Sequence, residues 1–279
     1  MTAAPATAIR TAAPAVVRPS LFRVFRAASK SEWTKLRTVR STVWALVITV
    51  ISMIGLGALL TALEVSRWDH RSVSQVAHFD PLLYSFAGIN LAQLSIGVLG
   101  VLVMSSEYAS GGIRLTLAAT PQRTLLLAAK VMTFGGVVAV VSLVACVASF
   151  GIGQAVLAQQ GGGVSIGDPG VLRALLGGAA YLVLDGAIAV GFGALLRHTA
   201  AAVAALFAVL LVIPGLVMLL PSPWNDDITK LLPGAAGEAM AATVRFPNLL
   251  GPGIGCIVLC GYTLLVLGAA TVVLSRRDA

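Results

Sequence analysis

The stretch VWALVITVISMIGLGALLTAL, residues 43–63, decides the class of this protein. It holds no charged residue, and its apolar residues run continuously instead of alternating with polar ones. A hydrocarbon core about 30 Å thick is crossed by about 20 helical residues, because each residue adds about 1.5 Å along the helix. Strands are the poorer interpretation, since lipid offers no partner to an open sheet edge. The stretch therefore predicts a transmembrane helix.

Five more runs of this kind follow in the chain of 279 residues. Together with 43–63, they predict spans at about 83–104, 131–158, 174–196, 200–220 and 253–274. The composition agrees: 58% of the residues are hydrophobic and 11% are charged, whereas a soluble domain carries about 25% charged residues. We therefore predict an all-α polytopic membrane protein, with a six-helix transmembrane domain over residues 43–279.

The Lys and Arg residues predict the orientation of the spans. If the N-terminus lies in the cytoplasm, every Lys and Arg falls in an inner segment except Arg67, Arg71, Arg173, Lys230 and Arg245. Inner loops of membrane proteins carry such an excess, so both termini are predicted to be cytoplasmic. This distribution accounts for the net charge of +8. No nucleic-acid partner is predicted, because no soluble basic face is present.

The N-terminal part divides into two segments. Residues 1–19 are rich in Ala, Thr and Pro, which predicts a disordered tail without a cleaved secretory signal. Residues 20–42, SLFRVFRAASKSEWTKLRTVRST, bring Phe22, Phe25, Trp33 and Leu36 near one helical face and cations to the others. This pattern predicts an amphipathic helix along the inner membrane surface. Its cations would face anionic lipid, with or without an additional protein partner.

The segment SSEYASGGIRLTLAATPQRT, residues 105–124, follows the second predicted span. Gly111 and Gly112 favour a sharp turn, and Pro121 disfavours a helical conformation at the residue before it. A short helix between these positions would lie parallel to the membrane. Since it is joined to two spans, it would act as a lever for a push from a cytoplasmic partner. The alternative is an ordinary inner loop.

Asp185 lies in the middle of the fourth predicted span, with no other charged residue between 174 and 196. An ionised carboxylate near the bilayer centre costs at least about 2.5–3.5 kcal/mol, so the side chain must face the protein interior or be protonated. It either belongs to a substrate or proton path, or fixes helix packing through a hydrogen bond, for example to Asn90 or Gln93. Beyond the fifth span, two short helices are predicted at 228–232 and 235–242.

Other chemistry is not supported by the residue patterns. Cys146, Cys256 and Cys260 all lie in predicted spans and are expected to be buried small hydrophobic residues. The His and Asp residues of the loop 64–80 match no compact ligand spacing, so no metal site is predicted. No G-x-x-x-x-G-K-[ST] phosphate loop is present, so no nucleotide site is predicted either.

Two motifs carry a family resemblance. SEWTKLRTVRST, residues 31–42, and EYASGGIRLTLAATPQRT, residues 107–124, resemble bacterial type 2 ABC exporter permeases, and the arrangement of spans is similar over the whole chain. The resemblance implies a connecting helix and a coupling helix that sits in a groove of an ATPase. The first would contain Glu32, Lys35 and Arg37, and the second Glu107, Tyr108, Gly111, Ile113 and Arg114. It also implies that the outer pair of short helices is re-entrant. Asp185 matches no pattern of the family.

The resemblance implies a permease subunit of an ATP-driven exporter in the plasma membrane. ATP and Mg would be held by a separate ATPase, so this chain would bind no cofactor and would not be an enzyme. A homodimer or heterodimer with a similar permease would enclose the pathway for an unidentified hydrophobic or amphipathic substrate. The candidate residues for the cavity are Phe86, Asn90, Gln93, Asp185, Phe207 and Met218.

Three alternatives remain. A secondary transporter would be favoured by inverted repeats and several paired charges inside the membrane. A membrane-embedded enzyme would require a catalytic cluster such as H-E-x-x-H. A membrane protein without a transport function is the third alternative, but it explains neither of the two motifs.

Overall fold

The computed structural model describes residues 20–68, 79–119, 122–160 and 162–276. Within these ranges it contains helices and no strand. Six helical segments are long and apolar enough to cross a membrane: Arg40–Ser66, Ile89–Ala109, Arg123–Gln160, Val171–Leu196, Thr199–Val217 and Pro252–Arg276. The prediction of an all-α protein with six spans is therefore confirmed.

The described parts of the chain contain twelve α-helices. They are α1 (Leu21–Thr38), α2 (Arg40–Ser66), α3 (Pro81–Ser85), α4 (Ile89–Ala109), α5 (Gly112–Ala119), α6 (Arg123–Leu157), α7 (Val171–Leu196), α8 (Thr199–Phe207), α9 (Ile213–Val217), α10 (Trp224–Leu231), α11 (Pro233–Ala241) and α12 (Pro252–Arg276). A 3₁₀ turn at Ala158–Gln160 extends α6, and a π-helical turn at Ala208–Val212 joins α8 to α9.

Helices α4 and α7 form the centre of the bundle. They are the most buried of the six spans, and small residues let their backbones approach closely. A Cβ atom added to Gly100 would lie 2.7 Å from the carbonyl oxygen of Gly186, and one added to Gly193 would lie 2.7 Å from that of Val101. The other spans pack around this pair, with α2 and α6 in contact with each other and α8 and α12 each in contact with α7.

The helix α1 differs in its packing from the sequence expectation. It ends at Thr38, and the extended residue Val39 separates it from α2. Its buried residues are Ala28, Glu32 and Leu36, and it packs mainly against α6. Phe22 and Trp33, which the sequence placed on the same face as Leu36, are exposed. The physical reason is that Glu32 finds cationic partners inside the bundle, so its face is the one that turns inward.

Two spans also begin at other residues than predicted. Instead of one helix from about 83, the chain forms α3, a turn at 86–88 and then α4 from Ile89. The third span begins at Arg123 rather than near 131. Hydropathy excluded Arg123 and Lys130 from that span because both are charged, but both side chains find partners in the folded protein.

The fifth span is interrupted, and the outer helices are longer than expected. Pro214 has no N–H to donate to the carbonyl four residues earlier, and the π-helical turn lies just before it. The apolar span ends at Val217 rather than near 220. The outer helices occupy Trp224–Leu231 and Pro233–Ala241, because Pro233 starts α11 instead of separating the pair. The predicted tail 1–19 and the predicted helix end at Thr120 and Pro121 lie outside the described residues.

Candidate functional site

Four charged side chains meet where α1, α4 and α6 come together. They are Glu32 and Lys35 on α1, Glu107 near the end of α4, and Lys130 on α6, and we call them the junction cluster. Two acidic and two basic groups make its formal charge zero. Three separate segments of the chain therefore share one closed set of ion pairs.

Lys130 is the central member of the junction cluster. Its side chain is fully buried, and its Nζ lies 2.8 Å from Glu32 Oε2 and 2.6 Å from Glu107 Oε1. The same Nζ lies 3.4 Å from the carbonyl oxygen of Val103. A lysine ammonium has three N–H donors, and these three acceptors match them. The buried charge is thus both neutralised and hydrogen-bonded, as a charge inside a protein has to be.

Lys35 completes the cluster from its open side. Its Nζ donates to Glu32 Oε1 at 2.7 Å and to Glu107 Oε1 at 2.6 Å. Burial lowers the pKa of Lys35, but the hydrogen bonds and charges of Glu107 and Glu32 outweigh this effect, and the net pKa is raised. Lys35 is therefore firmly protonated at neutral pH. Each glutamate of the cluster bonds both lysines, so the four side chains link three helices to one another.

The short helix α5 follows the junction cluster directly. It is separated from α4 by Ser110 and Gly111, and Gly111 has a φ of 69°, which is a left-handed conformation that favours glycine. Ile113 is buried in the core of the bundle, whereas Arg114 is exposed and Leu115 is 78% exposed. Helix α5 is thus held to the bundle on one side and presents a basic and an apolar residue on the other.

Further contacts tie neighbouring helices to this end of the bundle. The ring of Tyr108 lies 5.3 Å from the guanidinium carbon of Arg197, at the end of α7. Arg123 Nη1 donates to the carbonyl oxygen of Leu274 at 2.7 Å, so the end of α12 lies beside the start of α6. The described parts nearest to both termini are therefore at the same end of the bundle. We call it the junction end.

The structure separates the eight residues predicted from the two motifs. Glu107 and Tyr108 lie on α4 and not on the short helix α5, and Gly111 and Ile113 shape and anchor α5 as described above. Glu32, Lys35 and Glu107 belong to the junction cluster, although the sequence assigned them to two different helices with separate roles. Arg37 and Arg114 are exposed and lie outside the cluster. Lys130 was missed, because its charge had been explained by the excess of cations in inner segments. The signal was present in the sequence: a cation inside an apolar helix needs an anionic partner.

Among the residues predicted for a substrate cavity, Phe86 and Asn90 line one small cavity of about 70 Å³. Phe86, Gln93 and Asp185 are buried, whereas Asn90 and Met218 are exposed. Phe207 lines an open cavity of about 870 Å³, between the end of α4 and α8, which it shares with Tyr108 and Arg197. Their role in substrate binding stays a prediction.

Asp185 is buried beside α4 and α8. A Cβ atom added to Gly97 would lie 3.5 Å from Asp185 Oδ2 and 2.5 Å from the side chain of Leu206. Asp185 Oδ2 has no hydrogen-bond partner among the described residues. The buried Gln93 accepts a hydrogen bond from Tyr181, and its amide nitrogen lies 3.5 Å from Asn90 Oδ1.

The opposite end of the bundle is held by Asp80 and Arg173, which sequence reasoning did not single out. Asp80 is buried and accepts hydrogen bonds from the backbone amides of Thr243 and Val244, at 2.6 and 2.7 Å, and from the Thr243 hydroxyl. Arg173 donates to the carbonyl oxygen of Ala242 at 2.6 Å. Burial, together with the charge of Asp80, raises the pKa of Glu238 on α11. The outer helix pair is thus anchored to α3 and α7.

Comparison with known proteins adds one match. A family model described as "ABC-2 family transporter protein" matches residues 29–215, which is more than half of the chain. The matched range includes all four residues of the junction cluster and the whole of α5. No curated protein matches the chain.

Proposed function

Since it matches the family model over most of its length, the chain belongs to the ABC-2 family of transporter proteins, and we propose that it is the permease subunit of an ATP-driven exporter. It would work with a separate ABC ATPase subunit that holds ATP and Mg. The absence of a phosphate loop from the sequence is consistent with this division of labour. The junction cluster is the single observation that carries the proposal.

The proposed contact with the ATPase is the exposed side of α5. Arg114 offers a cation and Leu115 an apolar side chain, while the buried Ile113 holds the helix against the bundle. Arginine is enriched at protein interfaces, and the exposed leucine adds apolar area that a partner could cover. The excess of cations in the predicted inner segments supports a cytoplasmic position for this contact.

The junction cluster would pass the movement of the ATPase into the membrane. Helix α5 is joined to the end of α4, which carries Glu107, and Glu107 is bonded to Lys35 on α1 and Lys130 on α6. A push on α5 would therefore shift α1, α4 and α6 together. A buried salt bridge that loses one partner costs about 3–5 kcal/mol, so these helices resist separation.

A second permease subunit is expected to complete the pathway. Closure of two ATPase subunits on ATP would bring two α5 helices together and switch the cavity from one side of the membrane to the other. A large exposed apolar surface on the fifth span, with Leu211, Val212 and Leu216, is available to lipid or to this second subunit. The open cavity that includes Phe207 suits a hydrophobic or amphipathic substrate.

Affinity purification tests the proposal. The tagged chain, extracted from its native membranes in mild detergent, should retain a soluble protein that contains a G-x-x-x-x-G-K-[ST] phosphate loop. The double variant Arg114→Ala and Leu115→Ala should lose this protein while keeping its melting temperature. Arg67→Ala, an exposed arginine at the opposite end of α2, is the matched control. Retention of the ATPase by the double variant would show that α5 is not the contact.

The variant Glu107→Gln separates docking from coupling. It leaves α5 unchanged, so the ATPase should still bind, but the link from α4 to the two lysines is weakened. We expect ATP hydrolysis to continue while ATP-dependent transport in reconstituted vesicles falls by tenfold or more. Normal transport by this variant would refute the role of the junction cluster.

Asp185 supports a second candidate, proton-coupled transport. A buried carboxyl oxygen without a described partner, deep in a spanning helix, is typical of proton paths in secondary transporters. This alternative predicts that the purified chain alone moves substrate when a pH gradient is imposed, and that Asp185→Asn abolishes the movement. The exporter proposal predicts transport only with the ATPase and ATP.

A further inference from the structure

A cavity of about 330 Å³ lies beside the junction cluster, between α1, the start of α2, α4 and α5. Glu32, Lys35 and Glu107 line it. Its lining also contains hydroxyl groups and apolar side chains. The hydroxyl residues are Ser41, Thr42, Ser106, Ser110 and Thr116, and the apolar residues are Leu36, Val39, Leu99, Leu102 and Val103.

Glu107 lines this cavity, and one of its two carboxylate oxygens lacks a hydrogen-bond partner among the described residues. The residue is 9% exposed, and its Oε1 accepts hydrogen bonds from both Lys35 and Lys130. Its Oε2 is buried and has no hydrogen-bond partner among the described residues. A buried polar atom that lacks a partner costs free energy, and a charged one costs more than a neutral one. The cavity is therefore suited to a ligand that brings an N–H or O–H donor to this oxygen.

Lys35 offers the complementary group. Its side chain is 41% exposed, and two of its three ammonium N–H donors are used by Glu32 and Glu107. One donor remains for an anionic acceptor. Because the junction cluster is neutral as a whole, a ligand with one positive and one negative charge matches it better than a simple ion.

The shape of the cavity adds an apolar requirement. Leu99 lies about two helical turns from Glu107 along α4, on the side toward the centre of the membrane. A ligand with its charged end at Glu107 and Lys35 would therefore place a hydrocarbon chain against Leu99, Leu102 and Val103. This is the arrangement of a lipid in the leaflet at the junction end.

We propose that this cavity binds a phospholipid whose zwitterionic head group carries a primary ammonium. The ammonium would donate to Glu107 Oε2, the phosphate would accept from Lys35, and the upper acyl chain would pack against Leu102 and Val103. A side chain of the ATPase is the competing occupant, but a polar side chain would not match the apolar lining at Leu99, Leu102 and Val103. The bound lipid goes beyond the exporter proposal, because it requires neither an ATPase nor transport.

Lipid exchange tests this inference on the full chain. The purified protein is equilibrated in micelles with dioleoyl-phosphatidylethanolamine or dioleoyl-phosphatidylcholine, and the retained phospholipid is measured by mass spectrometry after gel filtration. The two lipids share phosphate and acyl chains, but the choline head group has no N–H donor. We expect roughly tenfold greater retention of the ethanolamine lipid, as a hydrogen bond to a charged group predicts. Equal retention of both lipids would overturn the proposal.

Cavity-filling variants locate the binding site. Leu102→Trp should abolish the preference for the ethanolamine lipid, whereas Leu91→Trp, on an exposed face of the same helix, should leave it unchanged. If Leu102→Trp does not elute as a monodisperse protein, Ser106→Phe replaces it. A preference that survives in the filled cavity overturns the assignment. The assignment is also overturned if Leu102→Trp loses ATPase binding but keeps its lipid preference. The cavity would then receive a side chain of the ATPase.

Discussion

Lys130→Met removes the central charge of the junction cluster and tests whether it holds three helices together. Methionine has a similar length, so the main change is the loss of an ammonium that lies 2.8 Å from Glu32 and 2.6 Å from Glu107. Two carboxylates would then share the single ammonium of Lys35. Leaving a buried charge without its partner costs about 3–5 kcal/mol. We expect the free energy of unfolding to fall by this amount.

A second substitution separates the loss of charge balance from the loss of packing. In the double variant Lys130→Met and Glu32→Gln, the cluster keeps Lys35 and Glu107 and is again neutral. We expect the double variant to be more stable than Lys130→Met by roughly 1–3 kcal/mol, which is the size of coupling between groups in direct contact. Lys30→Met, on the exposed side of α1, should change stability by no more than about 0.5 kcal/mol.

Unfolding by sodium dodecyl sulfate in mixed micelles, followed by tryptophan fluorescence, measures five proteins under one condition: the parent protein, Lys130→Met, Glu32→Gln, their double variant and Lys30→Met. The reasoning would be refuted if Lys130→Met behaved like Lys30→Met. It would also be refuted if the effects of Lys130→Met and Glu32→Gln simply added, because two groups in one ion-pair cluster cannot be independent.

Three further outcomes follow from the contacts. Gly237→Ala should destabilise the protein by about 1–3 kcal/mol in the same assay, because the new Cβ would clash with the ring of the buried Tyr181. Gly234→Ala is the control: no atom lies within 4 Å of its new Cβ, so it should be neutral or slightly stabilising. Asp80→Asn should speed proteolysis after α11, since the carboxylate accepts from two backbone amides there. Folding raises the pKa of Lys35 above 10.5. The stability that protonated Lys35 adds is therefore present below pH 10.5 and is lost as the pH rises through the folded pKa. In Lys35→Met, stability should fall less steeply at alkaline pH.

The sequence was sufficient for the number and type of the spans. Runs such as residues 43–63 are uncharged and long enough to cross a bilayer, so they specify helices without any tertiary information. The limits of the spans were less predictable where charge or proline was involved. Arg123 and Lys130 lie inside the helix α6 because their partners come from distant parts of the chain. Pro214 was a visible signal for the interruption of the fifth span, and hydropathy averaging concealed it.

The candidate site was predictable as a set of segments but not as one cluster. Glu32 and Glu107 both appeared in motifs, yet nothing in their spacing showed that they share the same two lysines. The pairs Glu32–Lys130 and Lys35–Glu107 are 98 and 72 residues apart in sequence. Such pairs depend on the order in which helices pack, and that order follows from side-chain shape and small residues such as Gly100. Helical periodicity does not contain this information.

The contacts of the fifth span differ in kind from those of the junction end. At the junction end, α1, α4 and α6 are joined by buried charges, and separating them would expose unpaired ions. Helix α8 meets the central helices through apolar side chains such as Leu206 and through one hydroxyl contact, Thr199 to Ser105 at 2.9 Å. Apolar contacts between helices are easily exchanged for contacts with lipid. In the proposed transport cycle, the surface between α4 and α8 therefore separates at lower cost than the junction. Asp185 lies against this surface, so a pathway that opens between α4 and α8 would reach this buried carboxyl.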